Sequence, residues 1–523
     1  MSQNFYKNSI IYSIWTNVSR ILGLIRDNFC GRLFGTSLEF GAFALAFRIP
    51  DLFRRLLEEG ALSSIFTPIL SQQLEQENRQ KTIDFTSHVF SSLMTTITLI
   101  CSILILLLLG ISQLLNISSE WQLSLNYFLI LAPYLIFIAL ISLLSSILNV
   151  LGNIFSVAVS PILFNIAWIC SLLIAWKFFN ASNERLLFIC FILTFAGLIQ
   201  VVVLLGALNK LGWKIRVSFQ KKFLPSKNNI KKILAVVFCF AVFQINLFID
   251  GILCLIFVES EHALAALYYS DRIQQLPLAV ISISIATASF PILASLQAQG
   301  KTEEFNSTLT KSLRGVWYLM LPSTIGLLFL ANPLTQQLFS FDNPLSTMET
   351  SSTLTYFTAG LIFTSTSLIL TRVFYTIGEI EIPLIIGCIV VVLNLLIGVI
   401  LVFTTKLDGQ AFALATSLCS ILNACALFGI AVKKFKLIEL DQIKASLLKL
   451  IVPSLFLTAW LFFVSHELIQ KLILQFSSNF LWVYDHSQLL SLVISILGGI
   501  LVFIISSIII KPKEYNEIIG HSN

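Results

Sequence analysis

Charged residues are scarce in this chain. Lys, Arg, Asp and Glu make up 11% of its 523 residues, where a soluble domain carries about 25%. With 57% hydrophobic residues and a mean hydropathy of +0.89, that scarcity excludes a soluble globular protein. Histidine is rare as well: the five residues at 88, 262, 466, 486 and 521 fall mostly in loops or at helix ends. The nine cysteines include no CxxC and no His/Cys spacing of a zinc site, so buried free thiols are expected and no metal centre. There is no P-loop, no GxSxG and no HExxH. No catalytic constellation is visible, which disfavours an enzyme and any resident cofactor. A cleavable signal pattern is missing too, because Arg20 and Arg26 interrupt what would be its apolar core. The net charge of +6 does not call for nucleic acid, since membrane topology accounts for it.

What is abundant is long apolar runs. A spanning helix needs about 20 mostly apolar residues, and fourteen stretches qualify: 9–29, 38–69, 84–112, 121–149, 155–178, 186–208, 231–258, 263–297, 311–331, 350–377, 381–404, 410–432, 446–465 and 488–510. The second and eighth are too long for a simple span and contain breakers, Pro50 and Gly60 in one and Pro277 in the other, so kinks or strong tilt are expected. The expected fold is therefore an all-α polytopic membrane protein of about 14 transmembrane helices.

Lys and Arg fix the orientation. The segment between spans six and seven holds Lys210, Lys214, Arg216, Lys221, Lys222, Lys227, Lys231 and Lys232. Lys433, Lys434, Lys436 and Lys444 follow span twelve, and Lys511 and Lys513 lie in the tail. On the other side, 113–121, 258–262 and 331–350 carry no Lys or Arg. Both termini are thus expected in the cytoplasm. An internal repeat divides the chain: FALAFRI…TPILSQQLEQENRQK around span two matches ALYYSDRI…FPILASLQAQGKTEE around span eight, pairing Arg48 with Arg272 and Pro68 with Pro291. Six spans separate the copies, so they share an orientation. The expected organisation is a pair of pseudo-symmetric six-helix lobes, 1–210 and 228–434, a basic cytoplasmic linker 211–227, and two C-terminal helices within 435–523. Ser465–Ser487, between those helices, reads as a mixed loop with Trp482 and Tyr484 near the interface.

The chemistry concentrates between Ser19 and Leu70. This apolar stretch carries Arg20, Arg26, Asp27, Arg32, Arg48, Asp51, Arg54, Arg55, Glu58 and Glu59. A charge at the centre of a spanning helix costs about 2.5–3.5 kcal/mol even on the lower scales, so these groups must face protein or a wet cavity. Arg48, Asp51, Arg55, Glu58 and Glu59 recur at helical spacing and form one stripe, which Arg54 flanks. Span eight adds Asp271 and Arg272, with Gln274 and Gln275 beside them. Arginine forks hold phosphate oxygens two at a time, so several in one cavity suit a diphosphate. Inter-helix salt bridges are the structural alternative, with Arg54 and Arg55 reaching for the cytoplasmic face. Elsewhere Asp250, Asn394, Thr416 and Ser417 are buried oxygen-bearing candidates for Na+ or H+ coupling. Arg372 reads as a topology anchor.

The stretch SRILGLIRD…FGTS…AFALAFRIPDLFRRLLEEGALSSIFTPIL resembles the MurJ/MviN family of lipid II flippases, in the MOP exporter superfamily, and YYSDRIQQLP resembles that family's second motif. The resemblance implies translocation of undecaprenyl-diphosphate-linked muropeptide (lipid II) from the cytoplasmic to the periplasmic leaflet of the inner membrane. It implies alternating access through a central cationic cavity, for peptidoglycan synthesis. It assigns substrate binding to Arg20, Arg26, Arg54, Arg55 and Arg272, with Asp27, Arg48 and Glu59 in the surrounding motif. Membrane lipids, and the cell-wall synthesis machinery, are the other partners it suggests. Alternatives are an exporter of another polyprenyl-diphosphate oligosaccharide, or a multidrug antiporter of the same superfamily. Three positions depart from the family pattern: Gly41, Gln275 and Gly398 stand where an acid is usual.

Overall fold

The computed structural model describes residues 2–57, 62–114, 118–217, 245–464, 466–476, 483, 486–512, 514, 515 and 517. Glu58, Glu59, Gly60, most of the basic linker, the start of span seven, Trp482 and Tyr484 lie outside the described residues. Every regular element among those described is helical. Among the described residues, ten helices are long and apolar enough to cross a membrane, or eleven if one bent pair counts as a single span.

Two compact units divide the chain, Met1–Leu255 and Ile256–Asn523. The first contains α1 (Ser2–Phe34), α2 (Leu38–Leu56), α3 (Leu62–Gln76), α4 (Arg79–Leu114), α5 (Ser119–Val150), α6 (Ile154–Phe178) and α7 (Ser182–Lys210). α5 runs through its middle, against α2, α3, α4 and α7, while α6 joins α1 to α7. Leu140, Leu143, Leu144 and Ile147 of α5 meet Leu204 and Leu208 of α7 in a dry core. α8 (Ile245–Phe257) closes this part of the chain.

The turns are set by a few polar residues. Gly35 ends α1 at φ +55, its N–H donating to Gly31 O at 2.9 Å. Only glycine takes that left-handed conformation without strain. Ser37 then caps α2, accepting from the Phe40 N–H at 3.3 Å. Gly152, at φ +78, and Asn153 do the same for α6, with Asn153 Oδ1 accepting from the Ser156 N–H at 3.2 Å. α2 and α6 are therefore anchored at their starts by local backbone chemistry.

The second unit contains α9 (Ala263–Pro277), α10 (Ser284–Ala298), α11 (Thr302–Phe339), α12 (Pro344–Ala359), α13 (Leu361–Thr376), α14 (Glu381–Thr404), α15 (Gln410–Lys433), α16 (Leu440–Phe463), α17 (His466–Phe476) and α18 (Ser487–Ile510). Pro277 is followed by a π-helical stretch, Leu278–Ile283, between α9 and α10, and the three run on as one helix, Ala263–Ala298. Within each unit the same packing order recurs: α2 on α5 and α6 on α7 in the first, α9 on α12 and α14 on α15 in the second.

Two expectations need correction. Span ten is not one helix, because α12 and α13 meet at 47° across Gly360. The stretch 465–487 is not simply a loop: it contains α17, whose Ile469 is buried while Leu468 and Leu472, flanking it on the helix surface, are exposed. That is the pattern of a helix lying along an apolar interface. Aliphatic side chains are exposed along α4 and α14, for example Leu106, Leu107, Val392 and Ile400, as lipid-facing helices require.

Candidate functional site

In the first unit the buried charges of α1 are met by α6. Arg26 lies over the Trp168 ring, its guanidinium carbon 4.2 Å from the ring centroid. Its Nε and Nη2 donate to Asp27 Oδ1 at 2.8 and 2.7 Å, and Nη1 donates to Asn165 Oδ1 at 3.1 Å. The side chains of Arg26 and Asp27 are 11% and 6% exposed. Asn165 Nδ2 in turn donates to the Ser19 carbonyl at 3.0 Å and to Ser19 Oγ at 3.1 Å. One amide thus ties α6 to α1 two turns apart. Three aromatic neighbours from α2 and α6 hold the Trp168 plane. Phe47 stands edge-on at 4.9 Å, with Phe164 and Phe43 at 5.7 and 5.9 Å, and Phe47 stacks in turn on Phe164 at 6.4 Å.

One turn before α2 ends, buried Asp51 serves two arginines. Oδ1 accepts from Arg54 Nη2 at 3.0 Å and Oδ2 from Arg55 Nε at 3.2 Å. Of the expected stripe, Asp51 and Arg55 are thus paired, and Arg54 shares the same carboxylate. Arg48 is half-buried and Arg20 exposed. Glu59 lies outside the described residues.

In the second unit, Arg272 stacks on Tyr268 at 4.8 Å. Beside it buried Asp271 accepts from Gln275 Nε2 at 2.7 Å, so the amide at 275 restrains a carboxylate from one turn away. Gln274 donates to the Phe357 carbonyl at 3.3 Å, and Ser270 to the Thr350 carbonyl at 2.7 Å, fastening α9 to α12. Arg372 reaches Thr287 of α10 at 3.2 Å.

Asp250 is buried in the first unit, and Asn394 and Thr416 are buried in the second. Ser417 serves the backbone instead. Its Oγ donates to the Tyr356 and Phe357 carbonyls at 2.5 and 3.1 Å and accepts from the Gly360 N–H at 3.0 Å. A second acid at 398 has no room, since a Cβ on Gly398 would sit 2.8 Å from the Phe412 ring. An acid at 398 would therefore displace that ring, and no step below runs through a bound cation.

Asn165, Trp168 and Ser19 do not stand out in the sequence as site residues. The signal is there in outline: Asn165 and Trp168 are three residues apart on one face of an otherwise apolar helix. Their partner Arg26 lies 139 residues away.

A bundle of apolar helices that keeps arginines paired in its interior is a multi-pass membrane protein built around buried charge. The chain belongs to the lipid II flippase MurJ family, whose model matches residues 30–484. A Rickettsia prowazekii relative, described as a probable lipid II flippase MurJ, is 28% identical over 98% of this chain and 99% of its own. One from Buchnera aphidicola of Acyrthosiphon pisum, with the same description, is 30% identical over 79% and 81%. The Burkholderia cenocepacia lipid II flippase MurJ is 27% identical over 81% and 83%. Among solved structures, a lipid II flippase MurJ in an inward closed conformation shares the fold, with a TM-score of 0.72 and 24% identity over 98% of this chain and all of that one. An inward-facing multidrug resistance MATE transporter of the MOP superfamily shares it more distantly, with a TM-score of 0.65 and 14% identity over 82% and 98%.

Proposed function

We propose that this protein is a flippase for lipid II, carrying the polyprenyl-diphosphate-linked muropeptide from the cytoplasmic to the periplasmic leaflet of the inner membrane by alternating access. Both termini lie in the cytoplasm in this reading. The observation that carries it is the Arg26 site: a guanidinium kept almost out of solvent, placed over an aromatic ring, and neutralised by a carboxylate. Burying such a cation alone would be costly. Asp27 offsets that cost while the site is empty, and a phosphate oxygen can replace it on the same Nε–Nη2 edge. Exchange of one anion for another keeps net binding modest, which suits a carrier that must also let go. Arg54 and Arg55 repeat the device around Asp51, and Arg272 supplies a further cation. In this proposal the substrate-binding set is Arg20, Arg26, Asp27, Arg48, Arg54, Arg55, Glu59 and Arg272.

The two six-helix lobes, 1–210 and 228–434, supply the alternating-access parts in this reading, with 211–227 as their cytoplasmic connection. The likeness to MATE transporters is one of fold alone and does not favour a drug substrate. The test is depletion of the protein in cells, followed by measurement of which leaflet holds lipid II. Accumulation in the cytoplasmic leaflet is expected. An unchanged distribution in cells with no second flippase would overturn the reading.

A further inference from the structure

Trp168 is a demanding residue for its position. Its side chain is 1% exposed, and its indole N–H is buried without an acceptor among the described residues. Buried donors are almost always satisfied, and an orphaned one weakens the fold. Phenylalanine would fill an aromatic pocket already made of Phe43, Phe47 and Phe164 without stranding a polar atom. Stability alone therefore does not account for the indole. What tryptophan offers beyond phenylalanine is a larger, more electron-rich face, the best of the aromatic side chains for holding a cation. That face is the one on which Arg26 lies.

We infer that Trp168 is a positioning residue for Arg26: it holds the guanidinium plane at a fixed angle while the anion on its edge changes from Asp27 to substrate phosphate. This rests on the flippase reading. Three features of the site support it. The ring is locked by three aromatic neighbours, so it is a rigid platform. Asn165 grips Nη1 from the same helix, three residues away, so α6 controls both the tilt and the end of the guanidinium. The Asp27 contact uses Nε and Nη2, leaving the hold by α6 intact when that contact is broken. The plane is then set by groups that do not take part in the exchange. A bidentate grip on phosphate depends on that plane, because the two N–H bonds must point at two oxygens at once.

The test uses the purified full-length protein in lipid nanodiscs, with undecaprenyl-diphosphate-linked muropeptide as the titrated probe. Trp168→Phe, Trp168→Leu, Arg26→Lys and the double variant Trp168→Phe/Arg26→Lys are compared, each with its melting temperature. Trp168→Phe should melt within a few degrees of the parent or above it, yet bind the probe about 3- to 30-fold more weakly, the range a desolvated cation–π contact supports. Trp168→Leu should bind more weakly still. In the Arg26→Lys background, where the planar fork is gone, Trp168→Phe should change binding by less than about twofold, as coupled residues require. Parent-like binding by Trp168→Phe would overturn the inference, as would an equal loss with or without Arg26. Failure of the parent itself to bind, with its melting temperature intact, would instead overturn the flippase reading on which the inference rests.

Discussion

One buried carboxylate, Asp51, accepts from two guanidinium groups, and this makes its charge more consequential than that of either arginine. Arg54 is 34% exposed and Arg55 18%, so water screens them only in part. Asp51→Asn would leave two adjacent cations facing each other across a neutral amide. The pair lies between the exposed limit, where ion pairs contribute little, and the buried limit, where breaking one costs several kcal/mol. A loss of about 1–3 kcal/mol of stability is expected. The functional effect should have the opposite sign at the binding step. With the Asp51 charge no longer competing, the two forks should hold a diphosphate more tightly and release it more slowly. Binding and single-turnover measurements on Asp51→Asn should therefore show raised affinity with reduced turnover, whereas a purely structural role would lower both. These charges are legible in the sequence because an ionised group in an apolar run has no bland explanation. Trp168 and Asn165 are not, because an aromatic and an amide in a spanning helix acquire their role only from a partner 139 residues away.

At the scale of elements, the break between α12 and α13 shows what hydropathy does not reveal. The apolar pattern runs on through 350–377, yet the backbone turns by 47° at Gly360. The turn frees backbone groups, and in a low-dielectric setting each must find a partner. Ser417 supplies it from α15, donating to two carbonyls and accepting from the Gly360 N–H. Glycine is required by proximity, since a Cβ there would stand 2.7 Å from Ser417 Cα. Ser417→Ala should cost about 1–3 kcal/mol, mainly by removing the donor to the Tyr356 carbonyl, since the Gly360 N–H and the Phe357 carbonyl keep each other. Gly360→Ala should cost more, because backbone and not a flexible side chain must move. Thermal unfolding of the two variants in detergent checks the order. α17 offers a pH test. His466 and Ser491 of α18 share a hydrogen bond at 3.0 Å. Burial holds the His466 pKa below its ordinary 6.5, against a smaller upward pull from Glu467. A base with a depressed folded pKa favours the neutral form, so its contribution is complete above the ordinary value and is lost as pH falls below it. The protection of α17 amides from hydrogen exchange, taken relative to the intrinsic rate at each pH, should fall as pH falls from about 7 to about 5, and His466→Gln should flatten the change. Hydropathy marks the flanking helices and misses α17, since eleven amphipathic residues average out to a mixed loop.

At the scale of the whole chain, segments far apart in sequence are fastened at one buried charge in the second unit. Arg314 of α11 and Glu514 beyond α18 are each 1% exposed, and Arg314 Nε donates to Glu514 Oε1 at 2.5 Å. Arg314 Nη1 also donates to Gln442 Oε1 at 3.0 Å, and Ser446 Oγ to Glu514 Oε1 at 2.6 Å. Glu517 lies 3.5 Å from Nη2, and Gln442 bonds Glu439 in turn. Three segments, α11, the start of α16 and the tail beyond α18, therefore meet at one guanidinium, beside a core of Tyr318, Leu450, Leu457 and Phe503. In the sequence Arg314 is one more basic residue and Glu514 part of a polar tail, because their partnership spans 200 residues. The last two spanning helices, unassigned by the repeat, are thus fastened to the second unit by chemistry as well as by packing. Arg314→Met strands a buried carboxylate and should cost about 3–5 kcal/mol, whereas Arg314→Met combined with Glu514→Leu should recover most of that loss, since an apolar pair of similar volume avoids the desolvation of both charges. Truncation after Pro512 should resemble Arg314→Met in melting temperature and in protease sensitivity near α16. A truncated protein as stable as the parent would show that the tail merely rests on the unit, with α16 and α18 held by their apolar contacts alone.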